Sequence, residues 1–174
     1  GNPTWCLSFD EWRSQFIDWV RRPEPEALLN ASIFFDLRPL FGELALGEKL
    51  RTLLLSMTVA TPSFQHLMAA NALQVDVPLN YRGDIAVGEG NLVDLKKYGS
   101  RIFVDAARIF ALSSGTKAVS TSERLREAGS SVGLPAAEIA AVDAAFSQIL
   151  RLRLAQQIEE IATGEPAGYG LKPA

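Results

Sequence analysis

The stretch GLPAAEIAAVDAAFSQILRLRLAQQIEEIATG, residues 133–164, contains no helix breaker between Pro135 and Gly164. A proline at the start and a glycine at the end are the usual punctuation of an α-helix. Its apolar residues recur at helical spacing, and they are Ile139, Val142, Phe146, Ile149, Leu152 and Ile158. The pattern therefore predicts the longest helix of the chain here.

Shorter helical segments precede this helix. Ser8 and Glu11 form a capping-box pattern before the first, Thr61-Pro62 starts another, and Gly115 ends a third. The sequence predicts an all-α fold, a helical bundle of about six or seven helices.

A different pattern interrupts the helices between Val75 and Asp94. Pro78 and Gly83 break any helical run there, and Ile85 is among the apolar residues that alternate with small or polar ones. This region predicts a small β-hairpin excursion from the bundle.

Length and composition are those of one compact domain. The chain has 174 residues, of which 48% are hydrophobic and 21% are charged, so we expect a single helical domain over residues 1–174. The start Gly1-Asn2-Pro3-Thr4 is neither a signal peptide nor a natural initiator. We therefore expect a C-terminal fragment of a longer cytoplasmic protein, with a flexible tail over 165–174.

Several classes of function find little support in the composition. One cysteine, Cys6, and one histidine, His66, cannot supply a disulfide or a zinc site of nitrogen and sulfur ligands. The net charge of −3 argues against nucleic-acid binding. No apolar run approaches the roughly 18 residues that a bilayer crossing needs, so we expect no membrane partner.

Polar residues within or at the ends of apolar helices are the informative feature. They are Asn30, Asp36, Arg38, Lys96, Arg108, Arg153 and Gln157. Ionised groups buried alone are costly, so these residues must pair with one another, meet a ligand or point outward. Two interpretations stay open: an internal network that fixes helix packing, and a groove whose cations favour a phosphate-bearing ligand.

Ordered blocks of sequence carry a family resemblance. They are Asn2–Cys6, Ser8–Trp12, Leu29–Arg38, Asp94–Lys96, Val104–Arg108, Thr121–Leu125, and Leu152-Arg153 with Gln157. Together they resemble the C-terminal substrate-binding domain of nucleotidyltransferases related to protein-PII uridylyltransferase. That resemblance implies an all-helical domain that follows a nucleotidyltransferase catalytic domain, often with cyclic-nucleotide-binding-like or CBS modules further upstream.

The resemblance also implies where the chemistry lies. Catalytic domains of the family use a Gly-Ser turn followed by paired aspartates that hold magnesium against a nucleotide triphosphate. Here Gly99-Ser100 leads into a predicted helix, and no Asp-x-Asp occurs in the chain. We therefore expect no catalytic residue, metal site or cofactor in this fragment, and Mg²⁺ with a nucleotide triphosphate in the parent protein.

Two hypotheses of function follow. The first is a substrate-binding or regulatory domain of a cytoplasmic nucleotidyltransferase in signal transduction. In it, polar residues face the catalytic domain or its nucleotide, and they are Asp36, Arg38, Lys96, Arg108, Arg153 and Gln157. The second is a dimerisation or docking module with a purely structural polar network. In that case Trp5, Trp12 and Trp19 mark the contact, including that of a homodimer. An independent enzyme has the least support.

Overall fold

The computed structural model describes residues 2–75, 79–86, 88, 92–164, 168 and 170–171. Within them the helices are α1 (Phe9–Arg21), α2 (Pro25–Phe34), α3 (Leu44–Val59), α4 (Pro62–Ala72), α5 (Arg101–Ser114), α6 (Thr121–Ser131) and α7 (Ala136–Thr163). A 3-10 helix spans Pro3–Trp5, and a π-helix, Lys96–Ser100, leads directly into α5. The predicted all-α bundle is confirmed.

Helix ends follow the predicted signals in most places. Ser8 Oγ accepts from the Glu11 amide at 3.3 Å, and Glu11 Oε2 accepts from the Ser8 amide at 2.7 Å, which completes the capping box of α1. Gly115 has a φ of 72° and ends α5 in the left-handed region that glycine tolerates best. Helix α2 departs from its expected end before Pro39 and stops at Phe34. Asp36 and Arg38 therefore lie in the segment after α2.

A two-stranded antiparallel sheet is the small β element. Strand β1 (Val93–Asp94) pairs with β2 (Gly170–Leu171), with Val93 opposite Leu171. An isolated antiparallel bridge joins Leu79 to Ile85 within the region where the hairpin was predicted.

Two predicted segments, the hairpin and the tail, lie partly outside the described residues. In the hairpin region, residues 76–78, 87 and 89–91 lie outside the described residues. In the expected tail, residues 165–167, 169 and 172–174 lie outside them as well. The described residues of that tail are Gly168 and strand β2, Gly170–Leu171, whose pairing with β1 brings the chain back to the bundle after α7.

The main core lies where α1 to α4 meet α5. Its buried residues are Phe16, Trp19, Val20, Leu28, Ala31, Phe35, Leu50, Leu54, Phe64, Met68 and Leu112. Burial of this apolar surface is the main favourable term in folding, so the core sets the relative positions of the five helices.

The three tryptophans meet at one phenylalanine. The ring centroids of Trp5, Trp12 and Trp19 lie 4.7, 4.9 and 5.5 Å from that of Phe34. Aromatic pairs at such separations contribute beyond the area that they bury. The seven-residue spacing of the tryptophans therefore serves the packing of the 3-10 helix and α1 on α2.

Helix α7 is the longest, as predicted, with 28 residues. It packs closely against the π-helix at Gly99. A side chain there would crowd α7, since a Cβ on Gly99 would lie 3.0 Å from Ile149 Cγ2. Across the described residues, none of the helices has both the length and the apolar character that crossing a membrane requires.

We expect Phe16→Ala to lower the free energy of unfolding by about 3–5 kcal/mol, because it removes a fully buried ring from the core. Phe41→Ala is the matched control. That ring is 98% exposed, so its removal should change stability by no more than about 0.5 kcal/mol. Urea unfolding followed by circular dichroism measures both, and equal effects would contradict this assignment of the core.

Candidate functional site

The carboxylate of Asp36 joins three parts of the chain. Asp36 follows α2, and its Oδ2 lies 2.7 Å from Arg108 Nη2 on α5. Its Oδ1 lies 2.6 Å from Arg124 Nη1 on α6. Arg124 is fixed further by a hydrogen bond from its Nε to the carbonyl oxygen of Ala118, at 2.9 Å. Each carboxylate oxygen therefore holds one guanidinium.

The ion pairs continue along α5. Arg108 Nη1 donates to Asp105 Oδ1 at 3.1 Å, and Arg101 Nε donates to Asp105 Oδ2 at 3.3 Å. Residues three and four apart share a helix face, so Arg101, Asp105 and Arg108 form one row. Together with Asp36 and Arg124 this row is a continuous chain of alternating charge, which we call the Asp36 cluster.

Burial and ion pairing shift the pKa of Asp36 in opposite directions. The side chains of Arg108 and Arg124 are only 11% and 6% exposed, whereas that of Asp36 is 39% exposed. Partial burial of Asp36 raises its pKa, but the hydrogen bonds and charges of Arg108 and Arg124 outweigh this effect, so the pKa lies below its ordinary value. Asp36 is ionised at neutral pH and pairs with both buried arginines, and Asp105 supplies a second carboxylate to Arg108.

A pocket of about 500 Å³ opens beside the cluster. Its walls are Asp36, Arg38, Leu40, Val119 and Ser120. Arg38 is exposed, and among the described residues it has no ion-pair partner. The break after α2 thus places Asp36 and Arg38 at one pocket.

Arg153 and Lys96 belong to the region around the π-helix. Arg153 Nη1 on α7 donates to Ser100 Oγ at 2.7 Å. Lys96 is exposed, and its amide donates to Asp94 Oδ1 at 2.8 Å, which fixes the start of the π-helix. Arg153 therefore links α7 to the last residue of the π-helix, directly before α5.

Gln157 holds the segment that follows α7. Its Nε2 donates to the carbonyl oxygen of Gly168 at 3.3 Å. The amide of Gly168 donates to Glu160 Oε2 at 2.6 Å, and Gln156 Nε2 donates to Glu160 Oε1 at 3.0 Å. The Gly168 and Gln156 hydrogen bonds hold the pKa of Glu160 below its ordinary value. Gln157 and Glu160 on α7 therefore hold the backbone of Gly168, just before β2.

The six predicted site residues thus occupy three places. Asp36, Arg38 and Arg108 lie at the pocket or in the Asp36 cluster. Lys96 and Arg153 lie at the π-helix, and Gln157 contacts Gly168.

Other members of these sites have weaker signals in the sequence. Arg124 lies 88 residues after Asp36, so no local spacing relates the two. Arg101 carried a usable signal, because it lies four residues before Asp105. Nothing local marked Ser100, whose partner is 53 residues away.

No metal centre is apparent in the part of the chain that the structure covers. There, no three His, Cys, Asp or Glu side chains come together as a ligand group.

Comparison with known protein families gives one match. The family described as "Putative nucleotidyltransferase substrate binding domain" matches residues 62–174. The chain belongs to this family. No curated protein and no solved structure matches the chain.

The match begins at the first residue of α4 and takes in every later element of this nucleotidyltransferase substrate-binding domain. Arg108 and Arg124 lie inside the matched region, and Asp36 and Arg38 lie before it. The site therefore combines residues of the matched helices with a segment from the N-terminal third of the chain.

We expect Asp36→Asn to destabilise the protein by about 1–3 kcal/mol at neutral pH, because among the described residues it leaves the buried Arg124 without a carboxylate and the buried Arg108 with Asp105 alone. Because the pKa of Asp36 is lowered by folding, its contribution is present above the ordinary aspartate pKa of about 3.9 and is lost as the pH falls through the folded pKa. The difference between wild type and variant should therefore shrink in acid.

Urea unfolding at pH 7 and at stepwise lower pH measures this difference. Glu159→Gln is the control, because within the described residues Glu159 forms no salt bridge. A stability difference for Asp36→Asn that stays constant down to acid pH would contradict the charge pairing described here.

Proposed function

We propose that this domain binds a phosphate-bearing substrate, a nucleotide, in the pocket between Asp36, Arg38 and Ser120. The observation that carries the proposal is the Asp36 cluster beside Arg38, which forms no ion pair with any described residue, at the edge of a pocket of about 500 Å³. The family to which the chain belongs supports a substrate-binding role.

The charge of the pocket suits an anion. Four arginines and two aspartates line the pocket or belong to the cluster, which leaves two positive charges in excess. They are Arg38, Arg101, Arg108 and Arg124, with Asp36 and Asp105. A guanidinium matches the oxygens of a phosphate bidentately, so Arg38 is the group that would hold it.

The start of α6 adds to this preference. Ser120 caps α6 by accepting from the Glu123 amide at 3.3 Å, and Ser120 also lines the pocket. The N-terminal end of a helix carries partial positive charge and favours anions. The pocket thus has a cationic side chain on one wall and a helix N-terminus on another.

Asp36 would serve as a hydrogen-bond acceptor for the same substrate. Its carboxylate is fixed by two arginines, yet 39% of the side chain remains exposed. A nucleotide presents hydroxyl and amino donors in addition to its phosphates. Donors facing Asp36 with phosphate facing Arg38 would orient the molecule in one direction across the pocket.

The same proposal assigns catalysis to another part of the parent protein. The absence of an Asp-x-Asp pattern supports a division in which an upstream catalytic domain holds Mg²⁺ and the nucleotide triphosphate, while this domain supplies substrate contacts or regulation. The single cysteine and the family resemblance support a cytoplasmic enzyme of signal transduction.

Isothermal titration calorimetry with ATP and UTP, each with and without Mg²⁺, tests the proposal. We expect saturable binding by the wild type, and binding about 10–100-fold weaker in Arg38→Ala, because a charge-assisted hydrogen bond to phosphate contributes about 1.5–3 kcal/mol. Arg38 makes no ion pair within the described structure, so the melting temperature should not change.

Arg13→Ala is the matched control. Arg13 is an exposed arginine on α1 that is not part of the pocket wall, so its removal lowers the net charge equally without touching the site. Equal weakening by both variants would indicate a nonspecific charge effect, and no binding by the wild type would leave the cluster as a structural network.

A further inference from the structure

The loop between α5 and α6, residues 115–120, forms one wall of the proposed nucleotide pocket. Val119 and Ser120 are its two wall residues, and the remaining walls come from the segment after α2. The structure describes all six loop residues, and none of them lies in a helix or strand. The position of this wall therefore depends on the contacts that other elements make with the loop.

Two successive carbonyl oxygens of the loop accept hydrogen bonds from guanidiniums on different helices. Arg51 on α3 donates from its Nη2 to the carbonyl oxygen of Lys117. Arg124 on α6 donates from its Nε to the carbonyl oxygen of Ala118 at 2.9 Å. Both α3 and α6 thus hold the loop backbone directly before Val119.

The side chain of Thr116 fixes the start of the loop to α6. Its Oγ1 donates to Glu127 Oε2, and it accepts from the amide of Ala118 at 3.4 Å. Each of residues 116–118 therefore has a hydrogen bond to a side chain, and the two wall residues follow at once.

The two guanidiniums differ in what else they bind. Arg124 also pairs with Asp36 and is only 6% exposed, so its removal would disturb the whole Asp36 cluster. Arg51 forms no salt bridge with any described residue. The contact of Arg51 with Lys117 spans 66 residues of sequence. A change at Arg51 can therefore alter the loop while the ion pairs of the cluster stay in place.

We propose that Arg51 is a positioning residue for nucleotide binding, an inference that rests on the proposed function of the pocket. Arg51 does not line the pocket, so it acts through the carbonyl of Lys117. Fixing Lys117 fixes Val119 and Ser120, which follow two and three residues later. A preorganised wall binds a ligand with a smaller loss of conformational entropy than a mobile wall does. A contact made by α3 thus sets the affinity of a pocket that α3 does not touch.

Removal of the Arg51 side chain should leave the helices intact. Alanine has the highest helix propensity, so Arg51→Ala does not weaken α3 through its backbone. Lys117 is exposed, so its released carbonyl oxygen can accept from water. We therefore expect helical circular dichroism like that of the wild type, with the change confined to the loop.

Isothermal titration calorimetry with ATP and Mg²⁺ measures the effect on affinity. We expect Arg51→Ala to weaken binding by about 3–10-fold, the loss typical of one hydrogen bond. Arg51→Lys keeps a charged donor and should recover most of the affinity. Lys49→Ala is the control, because Lys49 is an exposed cation on the same helix and forms no salt bridge with any described residue. It should bind ATP as the wild type does.

Limited proteolysis with trypsin measures the order of the loop without nucleotide. Trypsin cleaves after lysine and arginine, so it cuts an opened loop between Lys117 and Ala118. This cut should be about 3–10-fold faster in Arg51→Ala, because cleavage follows the population of the open form. ATP should slow the cut in the wild type, since the ligand contacts the residues that follow. Cleavage after the exposed Arg151 on α7 reports on the rest of the fold and should not change.

The two assays separate this inference from the proposed function. If the wild type and Arg51→Ala bind ATP equally well, the proposed function stands and Arg51 is not a positioning residue. An unchanged rate of cleavage after Lys117 in Arg51→Ala would also overturn the positioning role, whatever the calorimetry gives. If the wild type binds no nucleotide, both the proposed function and the role of Arg51 in binding are wrong, even where the loop becomes easier to cleave.

Discussion

The bundle depends on how two buried guanidiniums are neutralised. Arg108 and Arg124 stand on different helices, and the side chain of each is about nine-tenths buried. Charges in such surroundings are tolerated only when they are paired and hydrogen-bonded. Asp36 supplies one carboxylate oxygen to each arginine, so the segment after α2 must lie against α5 and α6. The same requirement places Arg38, two residues later, at the edge of the pocket.

Asp36 belongs both to the ion-pair network and to the wall of the pocket, so it bears on both interpretations of the polar residues. Asp36 pairs with Arg108 and Arg124 and also keeps part of its surface open to the pocket. The network fixes the position of the Asp36 carboxylate beside Arg38. Preorganised polar groups bind with a smaller loss of conformational entropy than mobile ones do, so the ion pairs that stabilise the fold would also favour the ligand binding that we propose.

The two sides of helix α7 differ in their residues and contacts. One side joins the bundle through Ile149 against Gly99, Arg153 on Ser100 and the Gln157 contact with Gly168. The other side carries small residues in its first half and bulky apolar residues in its second.

The sequence by itself determined the all-α class and most helix ends, although α2 stops at Phe34 rather than before Pro39. Capping at Ser8, proline at the start of α4 and glycine at the end of α5 act within a few residues, so their signals are local. Periodicity identified part of the buried face of α7: Ile139 and Phe146 are buried, whereas Leu152 and Ile158 are exposed. Tertiary structure alone decided that Asp36 pairs with Arg108, 72 residues away, that Arg153 meets Ser100, and that β2 returns to β1. These contacts depend on how helices pack, and packing is set by the whole core rather than by any short stretch of chain.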